Sequence, residues 1–329
     1  MSFKKIDKKK LENRYKHACS DGYCPNLMER KNNKIAELAN ILKADSEKET
    51  LANIAEWQNN NVVYWFERSM SSVLVVFVIF FAGSLSLGFL LRLCWLRWLG
   101  TILGAISATL IGMTILMIAN YRKISLRHLC NVFKDSNPID FLVEKKLAVC
   151  RDYAKLAACL LFNIYPEKEI YFVYATRHVA TGIMVGEKLY ILDKFLPVAR
   201  FDEWHKLWHK CKFSDKKVEK AKDIYMESVP LNSLLPKTNS SELDKDKLAY
   251  ELERLLSIQR SKDNSNKNPL EILHWKNGAI LYKDDEIVNY SIAQRLRKII
   301  SNEILDINRV AKLRIGLNKN DLIFQIELK

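Results

Sequence analysis

The stretch 147–193 constrains the fold most, because its apolar spacing changes from that of a helix to that of strands. Cys150 opens a run in which apolar residues recur at three- and four-residue intervals: Tyr153, Leu156, Ala157, Leu160 and Leu161. This spacing predicts a helix that begins near Cys150 and buries one face. The polar residues fall on the opposite side of the predicted helix: Arg151, Asp152 and Lys155. Asp152 lies in the first turn, where a carboxylate suits the helix dipole.

A cysteine at the start of a helix has chemical consequences. The first turn presents unpaired backbone N–H groups and a partial positive charge, so the thiolate of Cys150 is favoured there, and the thiolate is the nucleophile. Cys159 lies nine residues later, on the opposite face and among apolar residues, which should keep its thiol inert. We therefore expect Cys150, and not Cys159, to be reactive.

The residues after this helix read as strands. Ile170–Ala175 is β-branched and aromatic, His178–Val185 follows it, and Gly186-Glu187 forms a turn before a third strand at 188–193. A two-residue hairpin loop pairs residues whose numbers differ by an odd amount. His178 and Asp193 differ by fifteen, so they should lie on one face of adjacent strands, one diagonal step apart and within side-chain reach.

A nucleophilic cysteine, a histidine base and a carboxylate that orients the base form an activated-nucleophile triad. Cys150, His178 and Asp193 are therefore the candidate catalytic residues. The competing interpretation is a buried cysteine, a strand-end histidine and a loop aspartate that have no relation to one another. The helix-start position of Cys150 and the strand parity favour the triad.

These motifs resemble the core of the transglutaminase-like superfamily of papain-related thiol enzymes. The matching segments are VCRDYAKL at the helix start and RHVATGIMVGEKLYILD across the hairpin. Further upstream, IAEWQNNNVVYW resembles the family's helix that ends in a Trp–Asn–Tyr pattern, with Trp57 and Tyr64 as counterparts. The chain departs from the family at Ala148, at Ala180 and at Lys194, which stands where a proline usually follows the aspartate.

The resemblance implies an α+β fold with a transglutaminase-like (papain-like) core, in which the catalytic helix packs on an antiparallel sheet. It implies attack of Cys150 on an amide or peptide bond, His178 as the base and Asp193 as its orienting partner. Hydrolysis is favoured over amide transfer, with a peptide or protein as substrate. The alternative is an inactive adaptor that keeps the fold and binds peptide or protein.

Two uncharged runs, 69–91 and 98–121, interrupt this predicted core. Each is long enough to cross a bilayer of about 30 Å as a helix, and together they predict a two-helix transmembrane hairpin. The competing interpretation is a pair of buried core helices. Small residues recur every four positions, which favours close helix packing and an oligomer formed through the hairpin: Ser84, Gly88, Gly100, Gly104, Ala108 and Gly112.

The net charge of +14 indicates an anionic partner. The predicted hairpin points to a lipid bilayer and not to nucleic acid. The sequence thus predicts a multi-pass membrane protein with both termini cytoplasmic, since Arg68, Arg122, Lys123 and Arg127 flank the runs and no export signal precedes them. An odd count of seven cysteines also favours a reducing compartment.

Two partial metal patterns are weaker alternatives. Cys19 and Cys24 have the spacing of zinc ligands but lack a second pair, and His205, His209 and Cys211 lack a fourth ligand. We therefore predict no metal and no cofactor. The helix 201–210 that carries the two histidines is interpreted as a partly exposed aromatic-basic helix.

The remaining segments complete a four-part organisation. A basic helical region at 1–68 contributes to the core, 69–121 is the hairpin, 122–230 is the catalytic core and 231–329 is a small α/β module. Helical spacing covers 34–60, with a break before Ser46, and Ser46 and Glu49 have capping-box spacing. The C-terminal module should contain helices at 242–260 and 291–305, a strand at 279–282 and a hairpin of 310–317 with 322–328.

Overall fold

The chain divides into two compact units, one of Met1–Val62 with Cys150–Lys329 and one of Val63–Val149. The computed structural model describes residues 25, 27–64, 104, 106–107, 109–112, 138–175, 178–194, 196–210, 217–221, 226–230, 233–234, 243–259, 269–282, 284–304 and 306–329. The first unit is therefore discontinuous in sequence, and it contains Cys150, His178 and Asp193.

The named helices follow the predicted apolar spacing in most places. In chain order they are α1 (Leu27–Arg30), α2 (Asn33–Leu42), α3 (Glu47–Asn61), α4 (Ile139–Lys145), α5 (Cys150–Ile164), α6 (Phe201–Lys210), α7 (Lys245–Leu255), α8 (Gly278–Leu281) and α9 (Glu286–Ile304). The predicted break between α2 and α3 is confirmed, because the Ser46 hydroxyl caps α3 by accepting from the Glu49 N–H at 3.3 Å.

Within the described residues, the strands form three sheets. In chain order they are β1 (Val63–Tyr64), β2 (Leu147–Ala148), β3 (Ile170–Ala175), β4 (His178–Val185), β5 (Lys188–Leu192), β6 (Ala199–Arg200), β7 (Lys217–Ala221), β8 (Met226–Val229), β9 (Leu270–Trp275), β10 (Val310–Asn318) and β11 (Asp321–Leu328). The main sheet is antiparallel with the order β6-β5-β4-β3-β7-β8, and a second antiparallel sheet has the order β10-β11-β9. In the smaller unit, β1 and β2 pair in parallel.

The hairpin of β4 and β5 has the predicted two-residue loop. Val185 pairs with Lys188 and Thr181 with Leu192, so the register continues without a bulge. Gly186 takes a positive φ of 59° at the first loop position, as a type II′ turn requires and as a glycine adopts without strain.

Helix α5 lies at the centre of the larger unit. It packs on β3 and β4 on one side and on α1, α2 and α3 on others. The Thr181 hydroxyl on β4 donates to the Ala154 carbonyl at 2.7 Å and ties the sheet to the helix. The prediction of a polar outer face is wrong, because Asp152 is fully buried and Lys155 is 4% exposed. A glutamate on α1, Glu29, forms an ion pair with the Lys155 ammonium there.

Helix α3 ends against the first turn of α5. The Gln58 amide donates to the Tyr153 carbonyl at 3.0 Å, and the Tyr153 hydroxyl donates to the Val62 carbonyl. The residues that flank the interval 63–149 are therefore bonded to each other within the larger unit. Trp57, the counterpart suggested by the resemblance, is half-buried on α3, and Tyr64 lies in β1 of the smaller unit.

The C-terminal elements belong to the same compact unit as α5. Helix α9 packs along α3 and α7, and α8 packs on α6. The Arg295 guanidinium donates to the Glu56 carboxylate at 2.7 Å, which joins α9 to α3. The Tyr190 hydroxyl on β5 donates to the Asp285 carboxylate at 2.9 Å, and Asp285 also accepts from the first N–H groups of α9.

The predicted strand at 279–282 is wrong, because these residues form helix α8 and the start of the loop after it. The strand lies earlier, at Leu270–Trp275, and pairs with β11. Asn277 adopts a left-handed φ of 55°, and its N–H donates to Asp321 at 2.7 Å. Gly278 then starts the helix directly against the Trp275 ring, where a Cβ would lie 2.8 Å from the ring. The apolar character of residues 279–282 alone cannot reveal such a tertiary contact.

The predicted transmembrane hairpin is wrong. Among the described residues, no helix is both long enough and apolar enough to cross a membrane. Of 69–121 the structure describes 104, 106–107 and 109–112, all helical, and the rest of the two runs lies outside the described residues. A transmembrane span needs about 20 consecutive helical residues. An uncharged run has the apolar composition of such a span, but this composition does not ensure one continuous helix. The predicted multi-pass localisation, which rested on the hairpin, is wrong for the same reason.

The α+β character and the antiparallel main sheet are compatible with the predicted transglutaminase-like core. The candidate catalytic residues lie at the start of one helix and on one hairpin. Cys150 begins α5, His178 begins β4, and Asp193 directly follows β5.

Candidate active site

Cys150 is the first residue of α5, and its side chain is partly exposed. The backbone N–H groups of a first helical turn have no partner within the helix and carry the positive end of the helix dipole. Cys159 lies on the same helix, fully buried among apolar residues. Of these two thiols, only that of Cys150 is both accessible and next to a helix N-terminus.

His178 and Asp193 lie side by side. The ring Nε2 of His178 is 2.8 Å from Asp193 Oδ1 and 2.9 Å from Oδ2. The hairpin register explains the contact. Because Thr181 pairs with Leu192, His178 and Asp193 lie one diagonal step apart on the same face of the sheet. His178 is 7% exposed and Asp193 is 8% exposed. The pair is therefore almost removed from solvent, where a charge-assisted hydrogen bond is strong.

The His178 ring lies close enough to the Cys150 thiol to lower the pKa of the thiol through hydrogen bonding and its charge. Because Nε2 is engaged by Asp193, Nδ1 is the ring nitrogen that remains for the sulfur. The three side chains thus form a continuous chain from sulfur to imidazole to carboxylate. This is the order in which a general base activates a nucleophile and a carboxylate orients the base.

The electrostatics of the site favour the thiolate. Burial raises the pKa of the Cys150 thiol, but several groups together outweigh burial and lower this pKa below its ordinary value. They are the hydrogen bond and the charge of His178, the Val179 backbone N–H and the Lys194 ammonium. Lys194 is the residue that replaces the proline usual in the resembling family, so this departure adds a positive charge near the sulfur.

The imidazole of His178 is correspondingly held in its charged form. Burial lowers the pKa of His178, but the Asp193 carboxylate and the Cys150 sulfur raise it more strongly, to about 9. A lowered thiol pKa beside a raised imidazole pKa favours the thiolate–imidazolium form of the pair over the neutral form.

Two further donors hold the Asp193 carboxylate. The indole N–H of Trp204 on α6 donates to Oδ2 at 2.7 Å, and the backbone N–H of Lys194 donates to Oδ1 at 2.7 Å. The Trp204 ring is stacked against the His178 ring, with centroids 6.2 Å apart and an interplanar angle of 28°. Trp204 therefore contacts both members of the His178–Asp193 pair and restricts their relative movement.

Sequence reasoning missed this role of Trp204. The interpretation of α6 as a partly exposed aromatic-basic helix is wrong for its first turn, since Phe201 and Trp204 are each 1% exposed. Their three-residue spacing, directly after the strands, is the signal that indicates a buried face. His205 packs on Phe201, with ring centroids 5.8 Å apart.

Among the described residues, no group of three or more histidine, cysteine or acidic side chains could hold a metal ion. Cys19, Cys24 and Cys211, which formed the two partial metal patterns, lie outside the described residues.

Comparison with known proteins gives a family match and a distant relative. Residues 33–225 match the family described as a transglutaminase-like domain. The chain is also 25% identical over 315 residues to the UPF0252 protein MJECL39 of Methanocaldococcus jannaschii, an alignment that covers 84% of this chain and 88% of that protein. No solved structure matches the chain. The matched interval contains Cys150, His178, Asp193 and Trp204.

Proposed function

The chain belongs to the transglutaminase-like domain family, and on this basis we propose that it is a thiol enzyme that cleaves or transfers amide bonds through Cys150, His178 and Asp193. The observation that carries the proposal is the buried His178–Asp193 pair, hydrogen-bonded at 2.8 Å, whose imidazole lowers the pKa of the Cys150 thiol at the start of α5. The substrate class is a peptide, a protein or another carboxamide.

In the first half of the reaction, the Cys150 thiolate attacks the carbonyl carbon of the amide, and a C–S bond forms as the carbonyl oxygen becomes an oxyanion. The backbone N–H of Cys150, at the start of α5, is the proposed donor to that oxygen. The His178 imidazolium then gives its proton to the amine nitrogen, the C–N bond breaks, and the amine leaves behind a thioester.

In the second half, neutral His178 takes a proton from an incoming nucleophile, which attacks the thioester carbonyl. The C–S bond breaks, and the thiolate–imidazolium pair is restored. Water gives hydrolysis and an amine gives transfer. We propose hydrolysis as the main outcome, because water needs no acceptor pocket of its own. Asp193 keeps the His178 ring oriented throughout and stabilises its positive charge.

The proposal is tested by the selectivity of alkylation. At neutral pH, iodoacetamide should modify Cys150 at least about tenfold faster than Cys159, because thiolate fraction and access both favour Cys150. Peptide mapping by mass spectrometry separates these two sites from the other cysteines. The matched control is Cys159→Ala, which should leave the rate at Cys150 unchanged. If Cys150 reacts no faster than a free thiol, the enzyme proposal fails and a non-catalytic, peptide-binding role replaces it.

The raised pKa of His178 predicts the alkaline limit of activity. Acylation needs the imidazolium, so activity should fall as pH rises through about 9. Stability should change in the same direction. A histidine whose pKa is higher in the folded state than in the unfolded state stabilises the fold. This stabilisation is fully present below the unfolded pKa of about 6.5 and is lost as pH rises through about 9. Rate measurements and thermal unfolding between pH 6 and 10 check both statements. An activity loss near pH 6.5 would contradict them.

A further inference from the structure

The connection between Asp193 and β6 is held by α9. The Val198 backbone N–H donates to the Ser291 hydroxyl oxygen at 2.8 Å. The Leu196 carbonyl accepts from the Arg295 guanidinium, Nη2, at 3.2 Å. Both bonds reach the backbone of the segment 194–198, which directly follows Asp193. Its first residue, Lys194, donates its own N–H to the Asp193 carboxylate.

Ser291 and Arg295 are spaced four residues apart, so they lie one turn apart on the same face of α9. Both are buried, Ser291 completely and Arg295 with 7% of its surface exposed. Arg295 makes two kinds of contact at once, because its Nε donates to Glu56 while its Nη2 donates to Leu196. A planar guanidinium can serve two such acceptors in fixed directions, whereas an ammonium acts as a point charge.

A third contact fixes the strand on the other side of Asp193. Tyr190, on β5, donates to Asp285 at the start of α9. The chain is therefore bonded to α9, or to the residue that directly precedes it, both before and after Asp193. The orientation of the carboxylate towards His178 depends on the backbone at this position, and small displacements of a catalytic group cost large factors in rate.

We propose that Ser291 and Arg295 are positioning residues, which hold the backbone of Leu196 and Val198 so that Asp193 stays hydrogen-bonded to His178. Helix α9 lies outside the interval 33–225 that matches the family, so the C-terminal part of this chain would complete the site from beyond the matched domain. This inference rests on the proposed function, but it can be tested without a substrate by measuring the reactivity of the Cys150 thiol.

The test measures the alkylation rate of Cys150 by iodoacetamide from pH 4 to 9 in the full chain, together with the melting temperature. In Ser291→Ala and in Arg295→Lys, a loosened Asp193 should weaken the His178–Cys150 pair. We expect the half-maximal pH for alkylation to rise by about half a unit and the rate at pH 6 to fall about threefold. The two substitutions remove different bonds to the same segment, so a folding defect in one does not decide the result.

The matched control is Arg297→Lys, an exposed residue on the same helix, which should leave both the pH profile and the melting temperature unchanged. A lower melting temperature with an unchanged pH profile in both test variants means that α9 is merely structural, and the proposal is overturned. If Cys150 is not preferentially alkylated in the unsubstituted chain, the proposed function itself fails and this inference fails with it. A shifted profile in the test variants alone supports it.

Discussion

Replacing His178 with alanine is expected to slow the alkylation of Cys150 at pH 6 by about 100-fold, because the thiolate loses its charged hydrogen-bond partner. Burial would then dominate, and the pKa of the thiol should move above its ordinary value instead of below it. The Asp193 carboxylate would keep its bonds from Trp204 and Lys194, so the chain should stay folded. Alkylation rates across pH give the thiol pKa directly.

The matched control is His205→Ala, which removes a second histidine, on the same helix as Trp204, that packs on Phe201. It should leave the reactivity of Cys150 within about twofold of that in the unsubstituted chain. Equal effects of the two substitutions would show that His178 does not activate the thiol. Circular dichroism of each variant establishes that a slower rate is not simply unfolding.

Replacing Trp204 with phenylalanine is expected to lower both reactivity and stability. The indole N–H that donates to Asp193 is lost, while most of the ring volume that stacks on His178 remains. We expect alkylation of Cys150 at pH 6 to slow by about tenfold. The free energy of unfolding should fall by about 2 kcal/mol, from the lost packing and an under-satisfied buried carboxylate. Denaturant unfolding measures the second quantity.

Phe201→Leu provides the comparison for Trp204. Phe201 is equally buried, one turn earlier on the same helix, and has no hydrogen bond to lose. The Phe201→Leu substitution should lower the free energy of unfolding by a similar amount, about 1–2 kcal/mol, with little change in the alkylation rate of Cys150. If the two variants slow alkylation equally, then Trp204 acts through packing of α6 and not through its bond to Asp193.

The local geometry of the site could be predicted because it depends on short-range rules. The start of α5 follows from apolar spacing, and the strand bounds around Gly186 follow from β-branched residues and a two-residue turn. Parity then brings His178 and Asp193 to one face without any knowledge of the rest of the fold. Ser46 and its capping-box partner likewise mark the start of α3 from neighbouring residues alone.

The remainder depends on contacts between distant segments, for which the sequence carries little signal. The burial of Lys155 requires Glu29 from α1, and the support of Asp193 requires Trp204 from α6. Helix α8 replaces the predicted strand because of the Trp275 ring beside Gly278. Composition predicts a membrane location for the uncharged runs, but it measures apolar character and not the length of continuous helix.

The hydrogen bond between Tyr153 and Val62 has a consequence for how the larger unit tolerates the interval 63–149. The residues on either side of the interval, Val62 and Tyr153, are held together by the larger unit itself, so the interval leaves that unit and returns to it at one place. The entropy of closing a flexible loop grows slowly, by about 0.6 kcal/mol for each doubling of its length. Segments of very different length can therefore be inserted between α3 and α5 at little cost in free energy, without moving Cys150 relative to His178.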